Sequence, residues 1–299
     1  MKPLRLLAAA SAAALLLSSC TIIKAATKIQ TVLAGEEDPE LAGQALPTFI
    51  MAQEALLEAD PTNQDKVVTT ASLYVMYANA FVQGPAATLP DEKFEEKQAA
   101  YDRAGALYRR SFRLLSGALD RRVPGLVEAA VDGKAKLSKL RKADVPLLYW
   151  SAVSVLAGFS LNPLDFKSAH YLGVAPAFLA RAAELDPAWN SGAIYGILAS
   201  YYAGMPDYLG GDMSKAEAAY AKALEYSKGG TASLFVTYAT SICEPKGDRE
   251  GFEVSLKKAL AVDPDARPDS RLETVLAQRD AKRLLADEGK LFEDAQEGD

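Results

Sequence analysis

Apolar residues recur along this chain at spacings of three and four, and no stretch offers four or more convincing alternations of the strand type. The clearest run is Ala216, Ala219, Tyr220, Ala223 and Leu224, which turns one stripe of a helix toward a core. Leu272, Val275 and Leu276, continued by Leu284 and Leu285, form a second stripe, and Ile22, Ala26, Ile29 and Leu33 a third. A chain patterned this way is expected to be all-α. Its punctuation agrees: Asp60-Pro61, Asp186-Pro187 and Asp263-Pro264 stop helices, because proline cannot continue the hydrogen-bond ladder. Asn190 and Asp212 are the expected N-caps of later helices, with Gly210-Gly211 supplying a permissive turn before Asp212. Gln83 to Pro90 reads as an irregular Gly/Pro loop. Beyond Asp287 the acidic tail has too little apolar content to order itself.

The helix endings also repeat. Leu56-Leu57-Glu58-Ala59-Asp60-Pro61, Ala182-Ala183-Glu184-Leu185-Asp186-Pro187 and Ala259-Leu260-Ala261-Val262-Asp263-Pro264 align without gaps. Counting back from the second gives Ala175, Leu179 and Ala182, the spacing of the second helix of a tetratricopeptide repeat. Ala216, Tyr220 and Ala223 form a copy without the proline, and Ala104, Tyr108 and Ser111 a weaker one. Ala182 to Ala223 is 41 residues and Ala223 to Ala259 is 36, close to the ~34 of that repeat. Small residues recur where two helices of a hairpin cross most closely. The expected architecture is therefore a stack of antiparallel helical hairpins, a degenerate α-solenoid with a concave surface. Leu56 departs from the small-residue rule, which leaves the first hairpin's membership in the repeat open, and a plain helical bundle remains the alternative.

The N-terminus carries a second instruction. Lys2 and Arg5 precede the apolar run Leu6 to Leu17, and Leu17-Ser18-Ser19-Cys20 follows it directly. That run is shorter than the ~20 residues needed to span a bilayer, so it reads as a signal-peptide core. Leu-Ser-Ser-Cys has the form of a bacterial lipobox, with residues 1–19 removed and Cys20 acylated by chains such as palmitate. Thr21 is not the aspartate that, by resemblance to known lipoproteins, retains such proteins in the inner membrane, so an outer-membrane lipoprotein facing the periplasm is expected. No later stretch is expected to reach membrane-spanning length, which leaves the lipid as the sole anchor.

Charge and residue chemistry exclude several functions. After residue 19 the chain has 31 basic and 39 acidic residues, a net charge of -8, which argues against nucleic acid as a partner. Cys243, the one cysteine besides Cys20, sits in an apolar run and is expected to be a small buried hydrophobe. His170 is the only histidine, without metal-ligand spacing around it, and is expected to be structural. No phosphate loop, nucleophile elbow or zinc-helix motif occurs. An enzyme is not expected, nor any metal or cofactor. What stands out is an aromatic density between residues 149 and 208, namely Tyr149, Trp150, Trp189, Tyr195, Tyr201, Tyr202 and Tyr208, which would either pack the core or line a binding cavity.

On Asp144-Val-Pro-Leu-Leu-Tyr-Trp150, Arg181-Ala-Ala-Glu-Leu-Asp-Pro187, Tyr201-Tyr202-Ala203 with Pro206, Leu209-Gly-Gly-Asp212, and Lys215-Ala216 with Lys222-Ala-Leu-Glu225, the sequence resembles the T-component lipoproteins of tripartite ATP-independent periplasmic (TRAP) transporters. The resemblance implies a periplasmic, lipid-tethered protein of cryptic tetratricopeptide hairpins that forms a homo-oligomer, a trimer by family likeness. It implies the TRAP solute-binding protein as partner, with relay of a small organic-acid or hydrophobic ligand. Carried over by position, Trp150, Tyr201, Tyr202, Asp207 and Asp212 are the candidate ligand- or partner-binding residues, with Cys20 the lipidation site. The expected organisation is a signal peptide at 1–19, a lipidated segment with a short helix at 20–40, a helical-repeat domain at 41–287 and a disordered tail at 288–299. A general outer-membrane scaffold for envelope assembly is the alternative function.

Overall fold

The computed structural model describes residues 30–165 and 169–293, and the regular elements among them are all helical. Cys20, the signal segment and the residues from Ile22 to Ile29 lie outside the described residues. The first long helix, α1 (Pro39–Ala59), starts where the Asp38 carboxylate accepts hydrogen bonds from the N–H groups of Glu40 and Leu41, with Pro39 in the first turn. It stops at Asp60-Pro61, as the punctuation required.

Four hairpins follow: α2 (Gln64–Tyr77) with α3 (Phe94–Arg122), then, after the short α4 (Leu126–Val131), α5 (Val145–Leu161) with α6 (Val174–Leu185), α7 (Ala193–Gly204) with α8 (Met213–Tyr226), and α9 (Ala232–Tyr238) with α10 (Arg249–Leu260). A closing helix, α11 (Arg271–Glu293), packs on α9 and α10. Each first helix carries the same pair, a buried aliphatic residue followed by an aromatic one: Leu73-Tyr74, Leu148-Tyr149, Ile194-Tyr195 and Leu234-Phe235. Each second helix supplies the small or tightly packed positions that face it. Ala104, Tyr108 and Ser111 on α3, Ala175, Leu179 and Ala182 on α6, and Phe252, Leu256 and Ala259 on α10 are all fully buried. Ser111 Oγ donates to the Ala71 carbonyl and meets Ser154 Oγ at 2.9 Å, so these two buried hydroxyls between α2, α3 and α5 are paired. Burial of each large apolar side chain contributes about 1.5–3 kcal/mol, which is what holds helices of ordinary propensity in place.

The array bends until its ends meet. Leu272 of α11 packs in one cluster with Leu33, Leu46, Phe49 and Leu73, and Arg271 donates to the Gly35 carbonyl at 3.3 Å. The Arg279–Glu40 pair also spans the closure, but both side chains are exposed and such a pair contributes little beside the buried leucines.

Several expectations require correction. Gln83 to Ala87 is helical: α2 continues through a π-helical turn, Ala78–Gln83, into the short helix Gly84–Ala87. The Gly84 N–H reaches back five residues to the Asn79 carbonyl, and this wider turn makes room for Pro85, which has no N–H of its own. The same device recurs at Ala239–Cys243, just before Glu244-Pro245. Asn190 is not an N-cap; it lies at φ 44°, ψ 52°, followed by Ser191 at φ 55° and Gly192 at φ 82°, three left-handed residues that lead into α7. A Cβ on Gly192 would come within 2.8 Å of Tyr226 Cβ, so α7 and α8 approach too closely there for any other residue. The closing helix runs to Glu293 and buries Phe292, beyond the expected boundary at 287. Leu33 is buried as well, so the folded body begins before residue 41. Finally, Lys142–Leu161 is long and apolar enough to cross a membrane, with mean hydropathy 1.3, contrary to the reading that no later stretch would be. The α5 part of it packs against α3 and α6 and sinks Val145, Leu147 and Leu148 completely, so its all-round apolarity is that of a central core helix.

Candidate functional site

Four of the five residues singled out in the sequence come together at the α7–α8 turn. Tyr201 is buried and its hydroxyl donates to the Leu209 carbonyl at 2.7 Å, tying the end of α7 to the turn that follows. Burial raises the pKa of that phenol, with Tyr202 close by, so the hydroxyl stays a donor. Tyr202 meets Tyr201 edge-on at 5.4 Å, lies under the Lys215 ammonium and accepts the Asp212 N–H at its carbonyl. The Asp212 carboxylate accepts from the Lys215 N–H at 3.0 Å and caps α8, as expected, and these bonds hold its pKa below the usual carboxylate value. Gly211 is forced: a Cβ there would stand 1.7 Å from the Met205 carbonyl oxygen. Asp207 is exposed in the turn, and Tyr208 beside it is 85 % exposed. The constellation is thus a tightly cross-tied hinge between two helices.

Trp150 sits elsewhere, half-buried on α5 with its ring edge-on to Tyr149 at 5.1 Å. Tyr149 also packs on Trp189 at 4.6 Å and is almost wholly buried. Its burial, with the Glu273 carboxylate of α11 nearby, drives its pKa up, so a neutral phenol stands at the middle of the array. His170 is half-exposed, 3.5 Å from a Glu128 carboxylate oxygen and edge-on to Tyr171. Cys243 is buried, and burial first, then Asp248, pushes its thiol up to about 11, far from a reactive thiolate. Among the described residues no three His, Cys, Asp or Glu side chains are grouped to hold a metal.

One opening lies outside the 149–208 aromatics. It is a solvent-open groove of about 570 Å³ between the third and fourth hairpins. Tyr220 and Leu224 of α8 form one wall, Phe235 and Tyr238 of α9 the other, and Ser255 and Lys258 of α10 stand along it. Tyr220 and Tyr238 stack with centroids 4.2 Å apart. Burial pushes Tyr220 up to about 12 and also raises Tyr238, so both phenols are protonated donors at neutral pH. The volume falls within the ~300–1,000 Å³ of small-molecule sites. A second cleft, lined by Tyr101, Asp102, Arg109 and Asn162 among others, holds only about 130 Å³.

Sequence reasoning passed over this groove, although a signal existed. Thr231-Ala-Ser-Leu-Phe-Val-Thr-Tyr-Ala239 repeats Thr70-Ala-Ser-Leu-Tyr-Val-Met-Tyr-Ala78 at seven of nine positions. The two stretches lead into the two π-helical turns. Superposing first helices, rather than the Asp-Pro endings of second helices, would have drawn attention to Phe235 and Tyr238.

Comparison with known proteins accords with this architecture. An uncharacterized protein of Treponema pallidum (strain Nichols) is 35 % identical over 260 residues, which span 85 % of this chain and 80 % of that protein. The model of the TRAP transporter T-component family matches residues 35–292, from just before α1 to the buried Phe292 of α11. The chain, an all-α array of helical hairpins associated with a TRAP system of the bacterial envelope, therefore belongs to the TRAP transporter T-component family.

Proposed function

We propose that this protein is the lipid-tethered periplasmic component that binds the solute-binding subunit of a TRAP-type uptake system and relays a small organic or hydrophobic ligand to it. The observation that carries the reading is an open, tyrosine-walled groove within a helical-repeat array of this transporter family. Hairpin arrays present large surfaces on rigid helices, which suits holding another protein while leaving a cleft between repeats free. The protein acts by binding, with no catalytic step of its own. Cys20 carries the anchor, placing the array on the periplasmic face of the outer membrane, and the working form is a homo-oligomer, a trimer by family likeness.

Affinity co-purification tests the partner. The chain without its lipid should recover the solute-binding subunit from periplasmic extract, and recovery of assembly or secretion factors in its place would overturn the reading. Cys20→Ala tests the anchor: stable attachment needs two acylation signals, so the variant should leave the membrane fraction or remain an uncleaved precursor. A cleaved variant that stays on the membrane would rule out lipid tethering.

A further inference from the structure

The chemistry of the groove between the third and fourth hairpins is one-sided in a protein of net charge -6. Of the side chains that line it, Lys258 is the only charged one, and no carboxylate is among them. Lys258 stands exposed in the last turn of α10, and its ammonium forms no ion pair among the described residues. The other walls are Tyr220, Leu224, Phe235, Tyr238 and Val262, so a single cation borders an apolar trough. Gly230, next to the lining Gly229 and at φ 102°, has the Phe235 ring 2.5 Å from where a Cβ would sit. Any side chain there would displace that wall.

The first hairpin gives the contrast. Tyr77 and Tyr74 occupy the positions of Tyr238 and Phe235, and an arginine covers each. Arg103 lies 5.5 Å over the Tyr77 ring and donates to its hydroxyl at 3.0 Å. Arg110 lies 5.1 Å over Tyr74 and is neutralised by Glu54. In the fourth hairpin Tyr238 meets Tyr220, and the cation stands free at the groove.

We infer that the groove binds an amphiphile with one carboxylate head and an apolar body of roughly medium-chain length, the head on Lys258 and the body along Phe235, Tyr238 and Tyr220. One cation matches one negative charge. A phosphate monoester would bring about -1.5 to -2 charges and find a single ammonium, and a short dicarboxylate would place its second charge against the apolar wall. The two phenols, neutral at the pH of the envelope, add donors without repelling the head. This deepens the relay part of the proposed function by naming the ligand class and its site. The binding experiment uses the protein alone, so it can fail while the docking of the solute-binding subunit stands, and the converse also holds.

Isothermal titration of residues 21–299, which retain all the buried residues described above, with decanoate, decan-1-ol, decyl phosphate and succinate decides the matter. Decanoate should bind at least about tenfold more tightly than decanol, and succinate not measurably. Lys258→Gln should weaken decanoate about tenfold and leave decanol unchanged. Leu224→Trp, which fills the trough, should remove both, with an unchanged helical circular dichroism spectrum showing that the fold survives. Failure of decanoate to bind, decanoate affinity indifferent to Lys258→Gln, or tighter binding of decyl phosphate would each overturn the inference.

Discussion

The first and fourth hairpins share nearly the same words in their first helices and present different surfaces. Both first helices end on Thr-Ala-Ser-Leu, an aromatic, Val, one further residue and then Tyr-Ala, and both pass into a π-helical turn ahead of a proline. In the first hairpin, α1 covers one side of α2 and the long α3 the other, and Arg103 and Arg110 close over the tyrosines. In the fourth, α10 is short, twelve residues against the 29 of α3, and the neighbouring α8 offers Tyr220 and Leu224 across a gap. A local sequence thus sets the helix and its bulge, while the length and side chains of the partner helices decide whether the aromatic face becomes core or groove.

If the two hairpins share packing and differ in surface, core truncations should hurt both alike. Tyr108 on α3 and Phe252 on α10 are the aromatic residues of these two second helices that are fully buried. Tyr108 also donates to Gln83 at 2.6 Å, and Phe252 packs edge-on against Phe292 at 5.2 Å. Tyr108→Ala and Phe252→Ala should each cost about 3–5 kcal/mol in urea denaturation, the range for emptying a buried aromatic site. A loss below about 1 kcal/mol for Phe252→Ala would show the fourth hairpin to be an appendage and break the comparison.

The surface cations should separate what the core truncations join. Arg110 lies over Tyr74 and bonds Glu54 at 2.6 Å, with the Glu54 side chain only 18 % exposed, so Arg110→Ala strips two partners at once. About 1 kcal/mol is expected in the absence of ligand, from the cation–π contact and the half-buried pair together. Lys258→Ala removes a side chain with no paired charge, and its effect on stability should stay within about 0.5 kcal/mol. Equal losses from thermal or urea melts of the two variants would mean that Lys258 is a structural plug like Arg110.

These contrasts also explain what was readable beforehand. The helices were legible because apolar spacing is local: the stripe through Ala216, Ala219 and Ala223 and the stops at Asp60 and Asp186 fall where the pattern put them, while α10 already ends at Leu260 and Asp263 caps the short turn that follows. Asp212 was recognisable as a cap for the same reason. The Gly84-Pro85 pair misled, since those residues usually mark a loop, whereas here a π-helical turn carries the helix through them. Asn190 misled because a side chain suited to capping is also suited to the left-handed conformation. Tyr201, Tyr202, Asp207 and Asp212 were picked out as a group, and they do meet at one turn, but their spacing did not say that the tyrosine hydroxyl and the aspartate would be consumed by that turn's own hydrogen bonds. The groove was hidden for a different reason: it draws on α8, α9 and α10, and no window of one helix contains it.

The smallest expected effect is also the most local probe of the groove. Tyr220 has its pKa pushed up to about 12, first by burial and then by Tyr238 and Cys243, whereas an unfolded tyrosine ionises near 10. Below pH 10 the phenol is protonated in both states and contributes nothing pH-dependent. Between pH 10 and 12 the unfolded chain loses that proton while the folded chain keeps it, so stability falls as pH rises through this window. Tyr220→Phe removes the proton, and the slope of unfolding free energy against pH should therefore be shallower in the variant from pH 10 to 12 and the same at pH 7 to 9. Spectrophotometric titration at 295 nm should lose one late-ionising phenol in the same variant. If Tyr220→Phe left the alkaline slope and the late-ionising absorbance unchanged, the phenol stacked on Tyr238 would be ionising as in the unfolded chain, and the wall of the fourth hairpin's groove would not be the buried surface that the stacking implies.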